Sequence, residues 1–544
     1  MEIRIKTGLL VSAALATCLA AMPAAAQSNP CSGFALGSSY RPTLPVRFQA
    51  SGAIDSQITA NCQAWQMFVY LNWQAQTGRQ QPDTTVSFSQ FGVLSGTAAT
   101  VWQSYAIDLN VFNPSAGPQA TPPPLVLKAT SKFGLATVSG IDQASGPVWL
   151  TNQRGQLTYY DVRINQAEVD FIQKAMYLQV SQTVRVPMPL TASFNQYLCA
   201  TARPAGSNAG FRLPMGYGND TDCLGNAAKF GDDTGAIELK AAWTELPADG
   251  SLNYRYLTSQ ATITDPFGVT RTNVTVGLVG LHIIRRLPGA SQMLWSTFEQ
   301  VDNSPDQSVG SGAGVTPPNL PANTNRRPSP GYTYYNPQCN PQTDIYQCQA
   351  NKAPGTPCAQ GQQPTPSSPC YPYSAPQQVV RTTPVNADAN RVNAYVWGAL
   401  APASVFNYYR LIDVQWPSNP APQLTAGATV AGTGQGQSAY PTNMVPTLAV
   451  LNSNTRIIAN TTMETYVQAG SGANVQGTCM DCHASAGIST LFNSGLAAGQ
   501  TIANGRLRVL TSAPRSSSDA AATPVNPANL ASSFSFIFST DAPR

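Results

Sequence analysis

Histidine and charged side chains are scarce in this chain. Of its 544 residues only 2 are histidine, and Asp, Glu, Lys and Arg together make up 10%, against about a quarter in typical domains. The net charge of +4 is small and scattered, which argues against nucleic acid or an anionic membrane as a partner. Beyond the first 26 residues no stretch is long and apolar enough for a transmembrane helix.

The first 26 residues have the pattern of a secretory signal peptide. Arg4 and Lys6 precede the apolar run Gly8–Ala21, which is too short to span a bilayer, and small residues predict cleavage after Ala26. Lipoprotein processing at Cys18 is an alternative, although the threonine before it is atypical. On either processing route we expect an exported protein, periplasmic or secreted.

The cysteine count fits an oxidising compartment. The chain has 11 cysteines, of which one lies in the signal peptide and two in the motif described next. The other eight are Cys31, Cys62, Cys199, Cys223, Cys339, Cys348, Cys358 and Cys370. An even number predicts up to four disulfides. Proximity in sequence favours Cys31 with Cys62 and Cys199 with Cys223. The last four should pair among themselves, in an order that spacing does not determine.

One motif carries redox chemistry. Cys479, Cys482 and His483 stand in the spacing C-x-x-C-H, which is the attachment site of a c-type haem. The two thiols form thioethers with the porphyrin vinyl groups, and the histidine gives a ring nitrogen to the iron as an axial ligand. A C-x-x-C redox or zinc motif is the alternative, but no second thiol or histidine pair lies nearby to complete a zinc site. We therefore predict one covalent haem c.

The second axial ligand of this haem must come from upstream, because no methionine or histidine follows His483. Met463 and His282 are the candidates, and a third option leaves the position open. A strong second ligand favours electron transfer, whereas an open position lets peroxide or oxygen bind. Each candidate also has a simpler interpretation. Met463 would pack on a helix face, and His282 would be a buried imidazole bonded to a neighbour such as Glu299.

Hydrophobic periodicity predicts a β-rich α+β fold. We expect a large antiparallel or mixed sheet, few helices, long Pro/Gly loops and a short helical C-terminal segment that carries the haem. Apolar residues at helical spacing predict a helix over Ser56–Leu71. Asn165 with Glu168 predicts the capped start of another. Thr461 with Glu464 predicts a short helix just before the haem motif.

The strongest strand signal lies at Asn273–Arg286, where residues of both alternating sets are apolar. This pattern predicts a central strand of a buried sheet. A turn then returns the chain as Met293–Gln300, which would place His282 opposite Phe298. A further buried strand is predicted at Tyr408–Trp416.

Composition suggests how the chain is divided. After the signal peptide, residues 27–303 form the β-rich body. Residues 304–380 are rich in Pro, Gly, Ser and Gln, hold four cysteines, and are interpreted as an irregular, disulfide-pinned insertion. Residues 381–544 complete the body and contain the haem-binding segment, at about 440–500.

Beyond the haem motif, which resembles that of c-type cytochromes, several segments resemble one family of large exported bacterial proteins. These cytochrome-c-like proteins carry one haem and have no established reaction. The segments are Trp65–Trp73, Glu238–Trp243, Leu281–Ile283, Trp295–Glu299, Gln415–Pro417 and Asn460–Gln468. The resemblance implies an exported mono-haem protein, and it does not cover residues 304–380.

Electron transfer in the periplasm, with a redox partner, is the function that we expect first. A haem enzyme of peroxidase or oxygenase type is the alternative. It would need an open distal site with polar groups, for which His282, Glu299, Arg285 and Lys240 are candidates. A third possibility is a β-rich extracellular binding module with a structural or sensory haem. The sequence leaves open whether the protein is an enzyme.

Overall fold

The computed structural model describes fourteen ranges of the chain. These are residues 29–31, 33–48, 55–93, 98–107, 111, 122–128, 148–176, 213–222, 226–288, 293–308, 314–340, 348–365, 367–415 and 458–468. The signal peptide, Cys199, Cys223 and the haem motif Cys479–His483 lie outside them.

An eight-stranded mixed sheet forms the centre of the described structure. Its strands are β1 (Ala106–Ile107), β2 (Leu125–Lys128), β3 (Thr158–Ile164), β4 (Ile237–Glu245), β5 (Thr258–Thr264), β6 (Thr270–Arg285), β7 (Leu294–Gln300) and β10 (Tyr409–Gln415). Six of them follow the order β1-β3-β4-β6-β5-β2, and β7 pairs with both β6 and β10. All neighbours are antiparallel except β2 with β5. Two short strands, β8 (Asp306–Gln307) and β9 (Val315–Thr316), pair separately. The fold is therefore β-rich α+β, as predicted.

Strand β6 is the central strand, as its two apolar faces predict. It is 16 residues long. It pairs with β4 along one edge, and along the other with β5 and then β7. The predicted register with β7 is wrong by one residue. Leu281 lies opposite Phe298, and His282 lies opposite Thr297. The residues between β6 and β7 are too many for a tight hairpin turn, so the apolar face of each strand sets the register instead.

Three α-helices are found in the described ranges: α1 (Asp55–Leu71), α2 (Gln166–Asp170) and α3 (Ala387–Ala399). The predicted helix at Ser56–Leu71 is confirmed. Trp65 and Phe68 of α1 pack on Phe298, with ring centroids 5.1 and 4.4 Å apart. The Trp65 indole N–H donates to Asn393 Oδ1 of α3 at 2.8 Å. The two longer helices thus cover one face of the sheet. No helix in the described part of the chain is long and apolar enough to cross a bilayer.

Helix α2 confirms one half of the predicted capping box and not the other. The Glu168 backbone N–H donates to Asn165 Oδ1 at 3.3 Å. However, the Asn165 N–H donates to the carbonyl of Ile237, so it is not free to receive the Glu168 carboxylate. That carboxyl is fully buried instead. The helix continues as a π-helix over Phe171–Met176.

The three disulfides of the described residues agree with the predicted pairing, and the predicted pair Cys199–Cys223 lies outside those residues. Cys31 is bonded to Cys62, which fixes the N-terminal segment to α1. In the 304–380 region Cys339 is bonded to Cys348, and Cys358 to Cys370. Three disulfides among the described residues indicate an oxidising compartment, extracellular or periplasmic.

Residues of the 304–380 region pack into the body. Tyr334 is fully buried, its hydroxyl lies 2.8 Å from Thr158 Oγ1 of β3, and its carbonyl accepts from the Val379 N–H. Tyr334 and Val379 belong to a second, smaller apolar cluster, together with Ala242 and Val279 of the sheet. This cluster is distinct from the one that contains α1, and it lies on the side where the candidate site is found.

Candidate functional site

The last described stretch before the haem motif is residues 458–468, which we call the docked segment. It forms turns rather than the helix predicted from Thr461, so that prediction is wrong. The reciprocal capping contacts exist but begin one residue earlier. The Asn460 N–H donates to Glu464 Oε2 at 2.8 Å, and Asn460 Oδ1 accepts from the Thr462 N–H at 2.9 Å. The side chains that would have started a helix instead fix a compact turn.

Hydrogen bonds to several elements hold the docked segment on the sheet. They are Tyr160 Oη to the Thr462 carbonyl (2.6 Å), Asn460 Nδ2 to the Phe298 carbonyl (3.0 Å), Tyr466 Oη to the Trp149 carbonyl (2.7 Å) and Gln468 Nε2 to the Val380 carbonyl (3.0 Å). Most residues of the segment are buried. The partners come from β3, the residues just before it, β7 and the 304–380 region, so the segment joins parts of the chain that are distant in sequence.

Gly280 of β6 is the point of closest approach between the sheet and the docked segment. A β-carbon at this position would overlap Thr462 Oγ1 and would lie 2.9 Å from Asn460 Oδ1. Only glycine therefore allows the turn to lie directly on the strand. On β4 the residue opposite Gly280 is Ala242, another small side chain.

A buried charge cluster supports the same segment from the β7 side. The Glu299 carboxylate is fully buried, pairs with Arg381 and accepts from the Thr461 N–H. Arg381 also donates to the Ala459 carbonyl at 3.1 Å. Arg410 Nη2 lies 3.9 Å from Glu299 Oε2, and burial lowers the pKa of Arg410. Two arginines and a carboxylate thus fix the backbone of residues 459–461.

His282 faces this segment and not Glu299. Its Nε2 atom lies 3.4 Å from Glu464 Oε2, an ion-pair distance at which hydrogen-bond geometry is not met. The His282 residue is 7% exposed. The predicted neighbour Glu299 is committed to Arg381 and Thr461, so the buried-imidazole interpretation has a different partner from the one expected.

Lys240 lies opposite His282 in the β4–β6 register, and its Nζ is 5.0 Å from the Tyr160 ring centroid. Burial alone would raise the pKa of the Glu464 carboxyl. Interaction with His282, the charge of Lys240 and the hydrogen bond from the Asn460 N–H outweigh burial, and the pKa of Glu464 is lowered overall. The site therefore contains a carboxylate that lies 3.4 Å from an imidazole and is also acted on by the charge of an ammonium group.

Met463 occupies a different environment. It is fully buried in the apolar cluster that includes Ala242, Val279 and Tyr334. The next residue, Glu464, points toward His282. Met463 and His282, the two candidate axial ligands, therefore lie near the same part of the sheet but in different surroundings, apolar for Met463 and polar for His282. The thioether is enclosed by apolar side chains, as expected for ordinary packing.

The remaining sequence candidates are not brought together. Arg285 donates to the Thr234 carbonyl and to Tyr217, and not to any residue of the docked segment. Cys479, Cys482 and His483 lie outside the described residues. Within the ranges that the structure covers, no group of three or more His, Cys, Asp or Glu side chains could hold a metal ion.

Sequence reasoning missed three residues of this site: Glu464 as the partner of His282, Arg381 and Tyr160. The sequence indicates Glu464 only as part of a helix cap. In the structure its carboxylate accepts from the Asn460 N–H, but no helix follows. Arg381 follows a Pro-rich stretch with no local signal of burial. Only a carboxylate at Glu299 on a strand that is otherwise apolar or neutral hinted that a buried cation must lie nearby.

No known family model matches the chain, and no characterised protein or solved structure is significantly similar to it. The resemblance to exported mono-haem proteins therefore rests on the residues quoted above.

Proposed function

We propose that this protein is an exported mono-haem c-type cytochrome whose function is electron transfer in the periplasm. The observation that carries the proposal is the motif Cys479–His483, with Cys479 and Cys482 as thioether anchors and His483 as axial ligand. Three disulfides in the described ranges support export to an oxidising compartment, where such haems are attached. When bound, the haem supplies a one-electron iron couple.

The docked segment limits where the motif can lie. Ten residues separate Gln468 from Cys479, and an extended chain spans at most ~3.3–3.6 Å per residue, so the tether is no longer than about 40 Å. Gln468 is itself fixed, because its side chain donates to the Val380 carbonyl and accepts from the Thr382 N–H. A haem attached at Cys479 and Cys482 would therefore be within reach of the sheet face that carries His282.

The contacts favour His282 over Met463 as the second axial ligand. The Nε2 atom of His282 is buried and makes no hydrogen bond of good geometry, which fits a nitrogen available to iron. Met463 would have to leave an apolar cluster in which it is fully enclosed. Glu464 Oε2 lies 3.4 Å from the same nitrogen, so this carboxylate would have to turn aside for Nε2 to bind iron.

A haem enzyme with an open distal position is the second candidate. The observation that favours it is the set of polar groups around Glu464: an imidazole at 3.4 Å and Lys240, which contributes to lowering its pKa. Such groups can position or polarise a small bound molecule. The two candidate functions differ in the role of His282. In an electron carrier it would bind the iron, whereas in an enzyme it would lie near an iron whose second axial position is open.

The first test is co-expression with a c-type maturation system, followed by a haem stain on the denatured protein. We expect stain at the mass of the chain, and none in a Cys479→Ala, Cys482→Ala double variant. A wild-type protein without stain would refute the proposal. The ferric absorption spectrum then separates the candidates. A six-coordinate low-spin form supports the carrier, whereas a high-spin form that binds cyanide quickly supports the enzyme.

A further inference from the structure

Arg326 and Arg327 are adjacent cations in the 304–380 region, and each guanidinium lies over an aromatic ring of the body. The Cζ atom of Arg326 is 4.2 Å from the ring centroid of Trp397 in α3, and that of Arg327 is 4.5 Å from the ring centroid of Tyr254. Both arginines are part-exposed. An aromatic ring attracts a stacked guanidinium and holds the planar group in one orientation. The two cations are therefore presented in fixed positions.

A third arginine, Arg255, fixes the backbone that carries this pair. Arg255 is buried, and its Nη1 donates to the Arg327 carbonyl at 3.1 Å. The Arg327 N–H in turn donates to the Tyr408 hydroxyl at 3.1 Å, and Arg326 Nε donates to the Asn407 carbonyl at 3.1 Å. Because these contacts already hold the segment, a partner that binds it would have little chain to order.

The charges of this cluster do not balance within the described ranges. The ion pair found there for the three arginines is that of Arg255 with Asp302, whose Oδ2 is 2.5 Å from Arg255 Nη2 and accepts from Nε at 2.7 Å. No carboxylate of the described residues pairs with Arg326 or Arg327, and Nη2 of Arg326 is buried without a hydrogen-bond partner. Burial lowers the pKa of Arg326 to about 10; the charge of Asp302 opposes this shift, and those of Arg410 and Arg255 add to it. An anion beside Arg326 would supply the missing counter-charge.

We propose that Arg326 and Arg327 form a binding surface for an acidic segment of a partner protein, whose aspartate or glutamate side chains pair with the two guanidiniums. The planar guanidinium donates to both oxygens of a carboxylate at once. Arginine and tyrosine are also the residue types that contribute most to binding energy at protein interfaces. The stacking on Trp397 and Tyr254 keeps both donor groups in place for such a contact.

Two features favour a peptide over a sulfated glycan or an anionic membrane. Glycans and membranes of that kind bind where many cations are clustered, whereas this surface has two and the whole chain has a net charge of +4. Residues 328–331, which follow the arginine pair, are exposed and uncharged, so they extend the surface without adding charge. Such a surface suits a peptide in which a few carboxylates lie among neutral residues.

This surface is separate from the proposed haem function. Its two side chains contact Trp397, Asn407 and Tyr254, whereas His282 contacts the docked segment. An acidic partner could therefore bind whether or not the haem assignment is correct, and either proposal can fail without the other.

Binding of a fluorescent peptide of alternating glutamate and serine to the full-length purified protein tests the proposal, by fluorescence anisotropy. A peptide of alternating lysine and serine is the reference of opposite charge. We expect saturable binding of the acidic peptide that weakens as salt is added, and no binding of the basic one. An Arg326→Gln, Arg327→Gln double variant should bind the acidic peptide about fivefold or more weakly, because two ion pairs are lost.

Two single variants keep the test decisive if the double variant does not fold. Arg327→Gln should lose part of the affinity and still fold, because among the described residues its guanidinium makes only the contact with the Tyr254 ring. Arg79→Gln is the matched control. Arg79 is exposed and lies over no ring in the described structure, so the same loss of charge there should leave the affinity unchanged. Circular dichroism checks that each variant is folded.

Three results would overturn the proposal. The first is no saturable binding of the acidic peptide to the wild type. The second is an equal loss of affinity in Arg79→Gln and Arg327→Gln, which would show attraction to overall charge and not to this surface. The third is a heparin fragment that binds more tightly than the peptide and loses its affinity in the double variant, which would identify the surface as a glycan site.

Discussion

Nε2 of His282 lies 3.4 Å from Oε2 of Glu464. This contact joins the longest strand of the sheet to the segment that precedes the haem motif, across 182 positions of sequence. One of the chain's two histidines thereby contacts the segment that leads to the haem attachment site proposed at Cys479 and Cys482. The same contact gives the Glu464 carboxylate a partner inside a largely buried turn.

The first prediction concerns the axial ligand. In haem-loaded protein, His282→Ala should keep the covalent stain, since the thioethers are unaffected, but should convert a low-spin ferric spectrum to a high-spin one. Met463→Leu, a volume-conserving change in an apolar cluster, should leave the spectrum unchanged. Absorption spectra of the ferric and ferrous forms measure the effect. Loss of a methionine-to-iron band in Met463→Leu, with His282→Ala unaltered, would show that the assignment is reversed.

The second prediction concerns the packing of the docked segment on β6. Gly280→Ala introduces a β-carbon that overlaps Thr462 Oγ1 and approaches Asn460 Oδ1 to 2.9 Å. We expect it to lower the free energy of unfolding by about 1–3 kcal/mol, as overpacking does, measured by urea denaturation. Gly398→Ala is the control. Gly398 lies in α3, and a β-carbon there would have no atom within 4 Å, so alanine should stabilise by roughly 0.5–1 kcal/mol. Equal effects of the two changes would contradict the close approach.

The third prediction concerns the buried charge cluster. Glu299→Gln removes the carboxylate that neutralises Arg381 and receives the Thr461 N–H. Because it leaves a buried cation unpaired, we expect a loss of about 3–5 kcal/mol in unfolding free energy. Glu245→Gln is the same substitution in the Arg271–Glu245 pair, where the arginine side chain is 49% exposed, and it should cost less than about 1 kcal/mol. A loss at Glu299 no greater than at Glu245 would mean that the cluster contributes little to stability.

Local patterns of the sequence predicted much of the sheet and little of the site. The strand at residues 270–285 has an apolar residue at almost every position of its second half, so its central place follows from burial alone. The pairing of Cys31 with Cys62 follows from proximity. By contrast, the contacts of Glu464 and Arg381 join residues 82 or more positions apart. No periodicity encodes such contacts, and the capping signal at Thr461 was misleading because Asn460 competes for the same carboxylate.

The last prediction concerns pH and the buried carboxyl pair of α2 and β4. Glu168 is fully buried. Burial raises its pKa, and the charge of Glu238 raises it further. The unfolded pKa is about 4.3, so between this value and the raised folded pKa the native state holds a proton that the unfolded chain has released. Stability contributed by this group is complete below about pH 4 and falls as the pH rises through the folded pKa.

Glu168→Gln replaces the carboxyl by a neutral group of the same shape. Relative to wild type it should be nearly neutral at about pH 4 and increasingly stabilising as the pH rises, by at most about 1.4 kcal/mol per pH unit. Urea denaturation midpoints measured across this range check the trend. Asp249→Asn gives the opposite sign, because the N–H and hydroxyl of Ser251 lower the pKa of the exposed Asp249 carboxyl. The stability from that group is present above the unfolded pKa and disappears in acid, so Asn should be destabilising at neutral pH. A Glu168→Gln difference that does not change with pH would show that the pair holds no extra proton in the folded state.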